Sequence, residues 1–221
     1  MVLGICLNLA LHSIVLHKMN YLAHVYLSGD NDELAIGNFI ADQVKGKSYI
    51  AYPQGIRNGI LLHRKIDQFT DQHLLFKKNV SLIFPHHRHY SRVIVDMFFD
   101  HFLAAHWNDH HSISLEKFSN NFYLLLQQHK SSLPLKTQKL LPVMSRHNWF
   151  LAYRSVEGLQ RILFQMSQCT RFPSKMDEAI HDLKRHYNKI ESDFHTFFEE
   201  LKRYAQQERT GFNWHQSPPY Q

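Results

Sequence analysis

Residues 174–206, SKMDEAIHDLKRHYNKIESDFHTFFEELKRYAQ, carry the pattern that decides the fold. Apolar side chains recur there at alternating spacings of three and four: Ile180, Leu183, Tyr187, Ile190, Phe194, Phe197, Leu201 and Tyr204. This period places them all on one face of a helix. Ser174 and Asp177, ahead of the stripe, have the spacing of a capping box, with Asp in place of the usual Glu. We therefore predict one long amphipathic helix that packs on the body of the protein.

Helical patterns also run through the rest of the chain. They predict helices at residues 32–44, 56–71, 90–107, 115–129 and 156–168, and a shorter helical segment bracketed by Pro134 and Pro142. Pro85 is expected to begin the unit that contains the third of these helices. Only eight glycines occur in 221 residues, and Gly158 is the only one between Ile60 and Thr210. All-β folds and doubly wound folds with glycine-rich phosphate loops need more, so the predicted fold class is all-α, as a single helical domain.

Composition limits the class of protein and its surroundings. Hydrophobic residues make up 44%, which excludes an intrinsically disordered chain. Lys and Arg number 25 against 19 Asp and Glu, a moderate excess that favours anionic partners. The excess does not choose among nucleic acid, phosphorylated metabolites and acidic proteins. Because Cys6 and Cys169 cannot build a disulfide framework, we expect a reducing cytoplasm.

The two ends of the chain are expected to lie outside the domain. The apolar run at residues 2–16 is short for a membrane span and lacks the charge and cleavage site of a secretory signal. A weak signal peptide, an extra helix and translated upstream sequence are all compatible with it. We favour the last, because Met19 offers an internal start. We expect an extension at 1–18, the helical domain at 19–206, a disordered tail at 207–221, and no membrane association.

The first cluster of ionisable residues begins with HRKID at residues 63–67. His63, Asp67 and Asp71 follow one another at intervals of four and so project from one face of a helix. An imidazole and carboxylates together suit Mn²⁺, Mg²⁺ or Fe²⁺. The adjacent Arg64 is placed to bind a phosphate. A solvated helix face with charge pairs explains this cluster, taken alone, equally well.

The second cluster lies in VIVDMFFDHFL, residues 93–103. Asp96 and Asp100 share one face of this helix, and His101 lies just off it. Apolar residues cover nearly the whole circumference, which is typical of a buried helix. Two carboxylates on a buried helix repel each other unless a cation lies between them. This pair is the strongest single indication of a functional site.

His24 and Asp42 complete the candidate set, although a lone histidine among apolar residues is more often a satisfied core residue. Two histidine-rich tracts, residues 86–89 and 110–111, are expected in exposed loops. The sequence has no zinc-spaced cysteine pair, nucleophile elbow, P-loop or nucleic-acid-binding signature. A helical protein with His and Asp spread over several helices instead predicts metal-assisted hydrolysis of a phosphoester, in which a divalent ion activates water.

Four blocks of sequence recur here in a familiar order and spacing. They are MNYLAH at 19–24, GNFIAD at 37–42, HRKID at 63–67 with Thr70 and Asp71, and DMFFDHFLAAHW at 96–107. Together they closely resemble the acyl carrier protein phosphodiesterase family, over roughly residues 19–207. The resemblance implies an enzyme of lipid metabolism that cleaves 4′-phosphopantetheine from holo-acyl carrier protein with Mn²⁺ or a similar divalent ion. It also implies a distant likeness to the HD-domain metal phosphohydrolases, although Asp100-His101 reverses their usual order.

The resemblance further implies site residues and a partner. It places five residues around the metal: His24, His63, Asp67, Asp100 and His101. Asp42, Asp71 and Asp96 would be alternative ligands, supports or the base that orients the attacking water, and Arg64 would contact the phosphate. Basic positions offer an acidic carrier protein a docking surface, although plain solubility is the favoured interpretation of them: Lys45, Lys47, Arg57, Lys77 and Lys78. Two other functions stay open, namely a hydrolase of nucleotides or other small phosphodiesters and a non-catalytic module that binds the carrier.

Overall fold

The protein is described here from a computed structural model, over residues 21–168, 170, 172 and 174–212. Within those residues the secondary structure is helical and contains no strand, which confirms the predicted all-α domain. In chain order the helices are α1 (Tyr21–Leu27), α2 (Asp32–Ile40), α3 (Gln54–Gln72), α4 (Leu74–His87), α5 (Ser91–Ala105), α6 (Trp107–His110), α7 (Leu115–Gln128), α8 (Leu135–His147), α9 (Trp149–Ala152), α10 (Val156–Ser167) and α11 (Ala179–Thr210). Residues 1–18, where an extension is expected, lie outside the described residues.

The long helix predicted near the C-terminus is α11, and most of its apolar stripe is buried. The capping box is not formed, because Ser174 accepts instead from the backbone N–H of Met176 within a 3₁₀ turn that precedes the helix. The helix continues to Thr210, so the first residues of the segment 207–221 are helical where we expected a disordered tail. Residues 213–221 lie outside the described part of the chain.

Two prolines that are predicted to mark helix boundaries lie inside helices. Pro85 is in the last turn of α4, and Pro142 is in the middle of α8. A proline removes one backbone donor from a helix and weakens it. The buried neighbours Phe76 and Ile83 on α4, like those on α8, offset this cost by packing.

Glycines allow α2 and α3 to cross in direct backbone contact. A Cβ built on Gly59 would lie 2.8 Å from the nitrogen of Asn38, 2.9 Å from the Cα of Gly37, and closer still to the carbonyl oxygen of Leu34. No larger side chain fits at such a crossing without moving a helix. Because Asn38 adjoins Gly37 and His63 lies one turn after Gly59, this crossing sets the spacing of the site described below.

Helix α5 runs through the core, as its sequence predicts. Its apolar residues from Ile94 to Ala104 are buried, and so are Asp96, Asp100 and His101. Despite such apolar stretches, none of the helices in the described ranges is both long enough and apolar enough to cross a membrane.

Candidate metal centre

Two histidines and an aspartate from two helices meet in the interior. His24 comes from α1, and His63 and Asp67 lie one turn apart on α3. A ligand atom from each lies within 4.8 Å of the other two. The Asp67 carboxylate is 3.4 Å from Nε2 of His24 and 3.5 Å from Nε2 of His63. Asp42, in the 3₁₀ turn after α2, adds a second carboxylate 3.3 Å from Nε2 of His63.

Asn38 on α2 orients both imidazoles. Nδ1 of His24 is 2.7 Å from the side-chain oxygen of Asn38, and Nδ1 of His63 is 2.8 Å from its backbone oxygen. Both acceptors favour a proton on Nδ1, which leaves the lone pair of each ring on Nε2. The Asn38 amide is fixed in turn, because it donates to the His24 carbonyl and to the Ser28 hydroxyl. The rings stack with their centroids 3.9 Å apart, so both lone pairs face the carboxylates.

The charges of this cluster favour a cation between the rings and the carboxylates. Burial opposes a charge on His63, but the carboxylates of Asp42 and Asp67 outweigh it and raise its pKa to about 10. Burial and the neighbouring His63 charge lower the pKa of His24. Burial would raise the pKa of Asp67, yet both histidines hold it well below its ordinary value. In the metal-free protein a proton on His63 would face the carboxylates of Asp42 and Asp67, in the place that a bound cation would take.

The donor set fits a divalent metal ion. Nε2 of His24 and of His63 are excluded from solvent and have no hydrogen-bond partner within the described residues. Buried polar nitrogens without such a bond are rare and call for an explanation. Separations of 3.3–3.5 Å to the carboxylates are long for hydrogen bonds. They match neighbouring ligands of one cation, and imidazole with carboxylate suits Mn²⁺, Fe²⁺ or Zn²⁺.

Asp100 lies outside this group and contacts the start of α1. Its two carboxylate oxygens accept from the backbone N–H groups of Leu22 and Ala23, at 3.0 and 2.9 Å. These groups have no partner inside the helix, and a negative charge there is favourable. Burial raises the pKa of Asp100 to about 8, against the two backbone donors, which lower it. The structure thus gives Asp100 a positioning contact, since it fixes the helix that carries His24.

The other predicted site residues make contacts of their own. Both ring nitrogens of His101 are engaged, at 2.7 Å from the Tyr153 carbonyl oxygen and 3.1 Å from the Tyr187 hydroxyl. Asp71 forms an ion pair with Arg92. Asp96 is buried one turn before Asp100. Arg64 donates to the carbonyl oxygens of Val44 and Gly46 and lies over the Tyr49 ring, so it braces the loop after Asp42.

The structure therefore gathers His24, His63, Asp67 and Asp42 and adds Asn38, which the sequence analysis did not single out. The only available signal was its position in GNFIAD, four residues before Asp42. An amide is neither charged nor a preferred metal ligand, so the sequence pattern does not mark it.

The expectation that both histidine-rich tracts lie in exposed loops is wrong. His110 ends α6, and His110 and His111 are half-buried. Residues 86 and 87 end α4 instead of lying in a loop, and His87 is buried. Its Nε2 is 2.8 Å from the carboxylate of Asp182 on α11. A histidine at a helix end can therefore bind two helices together, which the tract alone does not reveal. His86 and His89 are exposed as expected.

The fold and this cluster define an all-α protein with a histidine–carboxylate centre suited to metal-assisted hydrolysis. The family model described as "Acyl carrier protein phosphodiesterase" matches residues 19–201, and the chain belongs to that family. It is accordingly an enzyme, a hydrolase of phosphodiester bonds.

Relatives of the same name align along most of the chain. The acyl carrier protein phosphodiesterase of Yersinia pestis is 29% identical over 189 residues, which span 85% of this chain and 98% of the relative. That of Photorhabdus laumondii is 28% identical over 181 residues, 81% of this chain and 91% of the relative. No solved structure matches this chain, so the likeness to HD-domain phosphohydrolases stays a prediction.

Proposed function

We propose that this chain uses a divalent metal ion to hydrolyse the phosphodiester that joins 4′-phosphopantetheine to acyl carrier protein. The observation that carries the proposal is the meeting of two unbonded Nε2 atoms, from His24 and His63, with the Asp67 carboxylate. Membership of the family and the name shared by its relatives support the substrate. A cytoplasmic location and a place in fatty acid biosynthesis belong to the same proposal, and the low cysteine content agrees with the first.

A bound divalent ion would supply a water of lowered pKa and would polarise a phosphoryl oxygen. His24, His63 and Asp67 are the residues to hold it, with Asn38 keeping both Nε2 atoms directed at it. Asp42 is the residue to serve as a further ligand or to orient the attacking water. Asp100 contributes through the position of α1.

Exposure indicates the side from which substrate approaches. The side chains of His24 and His63 are only 1% and 5% exposed, whereas those of Asp67 and Asp42 are 22% and 16% exposed. The cluster is therefore closed behind the imidazoles and open beside the carboxylates. A phosphodiester reaches it from the carboxylate side, where Asp42 leads into the loop that follows α2.

Two exposed lysines on that loop are our proposed contacts for the carrier. Lys45 and Lys47 lie three and five residues after Asp42, and Ile50 beyond them is 54% exposed. An acidic partner is steered by exposed basic charge of this kind. Two of the other basic positions are engaged elsewhere, since Arg57 donates to the carbonyl oxygen of Tyr52 and Lys78 pairs with Asp193. Solubility remains the simplest account of Lys77 and Lys78.

The test is the mass of holo-acyl carrier protein after incubation with the purified protein and Mn²⁺. We expect loss of the phosphopantetheine arm, dependence on added metal, and loss of the reaction in Asp67→Asn. Asp193→Asn is the matched control and should keep the reaction, because Asp193 is a buried aspartate of α11 whose carboxylate contacts Lys78 and Asn79 on α4.

The other outcomes are equally informative. An unchanged carrier together with metal-dependent cleavage of a small phosphodiester would replace the substrate and keep the centre. An unchanged carrier that nevertheless binds tightly, without hydrolysis of any phosphodiester, would indicate a binding module. Turnover that is the same in Asp67→Asn as in the parent protein would refute the centre itself.

A further inference from the structure

A second group of metal-ligating side chains lies where the C-terminal end of α5 meets the middle of α11. His106 caps α5, and Glu191 and His195 lie one turn apart on α11. One ligand atom from each lies within 4.8 Å of the others. Nε2 of His106 is 2.7 Å from Oε1 of Glu191, and the rings of His106 and His195 are 4.8 Å apart. We infer that His106, Glu191 and His195 form a binding site for a divalent transition-metal ion of the zinc class.

The two imidazoles of this second site favour zinc over Mg²⁺ and Ca²⁺, which prefer oxygen ligands. Two imidazoles and one glutamate make up a known donor set for zinc, which takes three protein ligands and leaves one position open. Mg²⁺ and Ca²⁺ prefer oxygen ligands, and Mn²⁺ binds nitrogen sites more weakly than zinc does. The side chains of His106 and Glu191 are 31% and 26% exposed, so ion and solvent both have access.

Asp109 lies beside the first ligand. Its carboxylate lies 3.7 Å from Nδ1 of His106, on the side of the ring away from Glu191. A carboxylate beside the second nitrogen of a ligating histidine is a recurrent feature of protein zinc sites, because it fixes the tautomer and strengthens the donor. In the metal-free protein a proton on His106 bridges Nε2 to Glu191. Bound zinc would take the place of this hydrogen bond, with Nε2 of His106 and the Glu191 carboxylate as its ligands.

This second site joins two helices that are far apart in sequence. One turn earlier, the His101 ring and the Tyr187 hydroxyl already link α5 to α11. Zinc at His106, Glu191 and His195 adds a second link at the same seam. It shares no residue with the cluster of His24, His63 and Asp67, so the inference stands or falls independently of the proposed function.

Zinc itself is the probe, and the full-length chain is dialysed to equilibrium against buffered Zn²⁺. We expect two bound ions per chain in the parent protein. His195→Ala should lower the affinity for one of them at least tenfold. His181→Ala, which removes an exposed histidine from the same helix, should leave both unchanged. His63→Ala should lose the other ion and keep the one at His195.

The inference is overturned if His195→Ala binds as many zinc ions as the parent protein with the same affinity. It is also overturned if the parent protein binds one ion and His63→Ala binds none. Should His195→Ala fail to fold, Glu191→Gln provides the same comparison, because glutamine keeps the shape and a neutral hydrogen bond to His106. Circular dichroism without metal verifies that each variant is folded.

Discussion

Asn38 offers the sharpest test of how the centre is built, because one amide orients a ligand and is itself completely buried. In Asn38→Ala three side-chain hydrogen bonds disappear: those to the ring and carbonyl of His24 and to the Ser28 hydroxyl. At about 1 kcal/mol for each net bond, the loss in unfolding free energy is about 3 kcal/mol, and buried groups left without partners add to it. The His24 ring also loses the acceptor that fixes its tautomer, which lowers metal affinity by about 10–100-fold.

Asn79 provides the matched control. It is equally buried, and its amide donates to the carbonyl oxygen of Leu75 and to the carboxylate of Asp193, away from the centre. Asn79→Ala should cost about 2 kcal/mol on the same scale and leave metal affinity unchanged. Urea unfolding of the apo-proteins and a Mn²⁺ titration of each variant give the two quantities. If Asn38→Ala binds Mn²⁺ as tightly as the parent protein, or Asn79→Ala binds it equally weakly, the orienting role of Asn38 is refuted.

Three further substitutions test the frame around the centre. Gly59→Ala forces α2 and α3 apart and should lower the free energy of unfolding in urea by about 1–3 kcal/mol. In Gly211→Ala the added Cβ meets nothing closer than 3.5 Å, so this control should be nearly neutral. Equal losses in the two variants would contradict the close crossing. Asp100→Asn leaves one backbone N–H at the start of α1 unpaired and should lower the free energy of unfolding by about 1–3 kcal/mol. Unchanged stability together with complete loss of bound metal would show that Asp100 is a metal ligand instead. His87→Ala breaks the hydrogen bond to Asp182 and should lower the free energy of unfolding by about 1.5–3 kcal/mol. The control His89→Ala, which removes an exposed histidine, should lower it by less than about 0.5 kcal/mol. Unchanged stability of His87→Ala would show that the hydrogen bond between α4 and α11 contributes nothing.

Regular spacing made most of the fold predictable. The apolar stripe on α11 predicts burial of one helix face, and the apolar circumference of α5 predicts burial of the whole helix. The structure shows both. The helix boundaries predicted at Pro85 and Pro142 are wrong. A proline is locally unfavourable in a helix, but the packing that offsets its cost comes from residues distant in sequence. Helix α4, with Pro85 in its last turn, was missed for that reason.

Spacing alone predicted the site only where its geometry is local, whereas His24 and Asp42 were predicted from the family resemblance. His63 and Asp67 share a helix face at a spacing of four, and the structure keeps them together. Asp100 has the features of a cation ligand in the sequence, because the pattern there shows only charge and burial. The groups that receive Asp100 are backbone N–H groups 77 and 78 residues away, which no side-chain pattern records. Asn38 was missed for the complementary reason, since its importance lies in three hydrogen bonds and not in charge.

The most direct test of the metal centre is a crystal of the protein soaked in Mn²⁺ and measured for anomalous scattering. The account predicts a peak bounded by Nε2 of His24, Nε2 of His63 and the carboxylate of Asp67, with Asp42 beside it. Asp100 should remain on the backbone of α1, away from the ion. A peak between Asp100 and His101, or no peak near His63 at a Mn²⁺ concentration that supports hydrolysis, would contradict it.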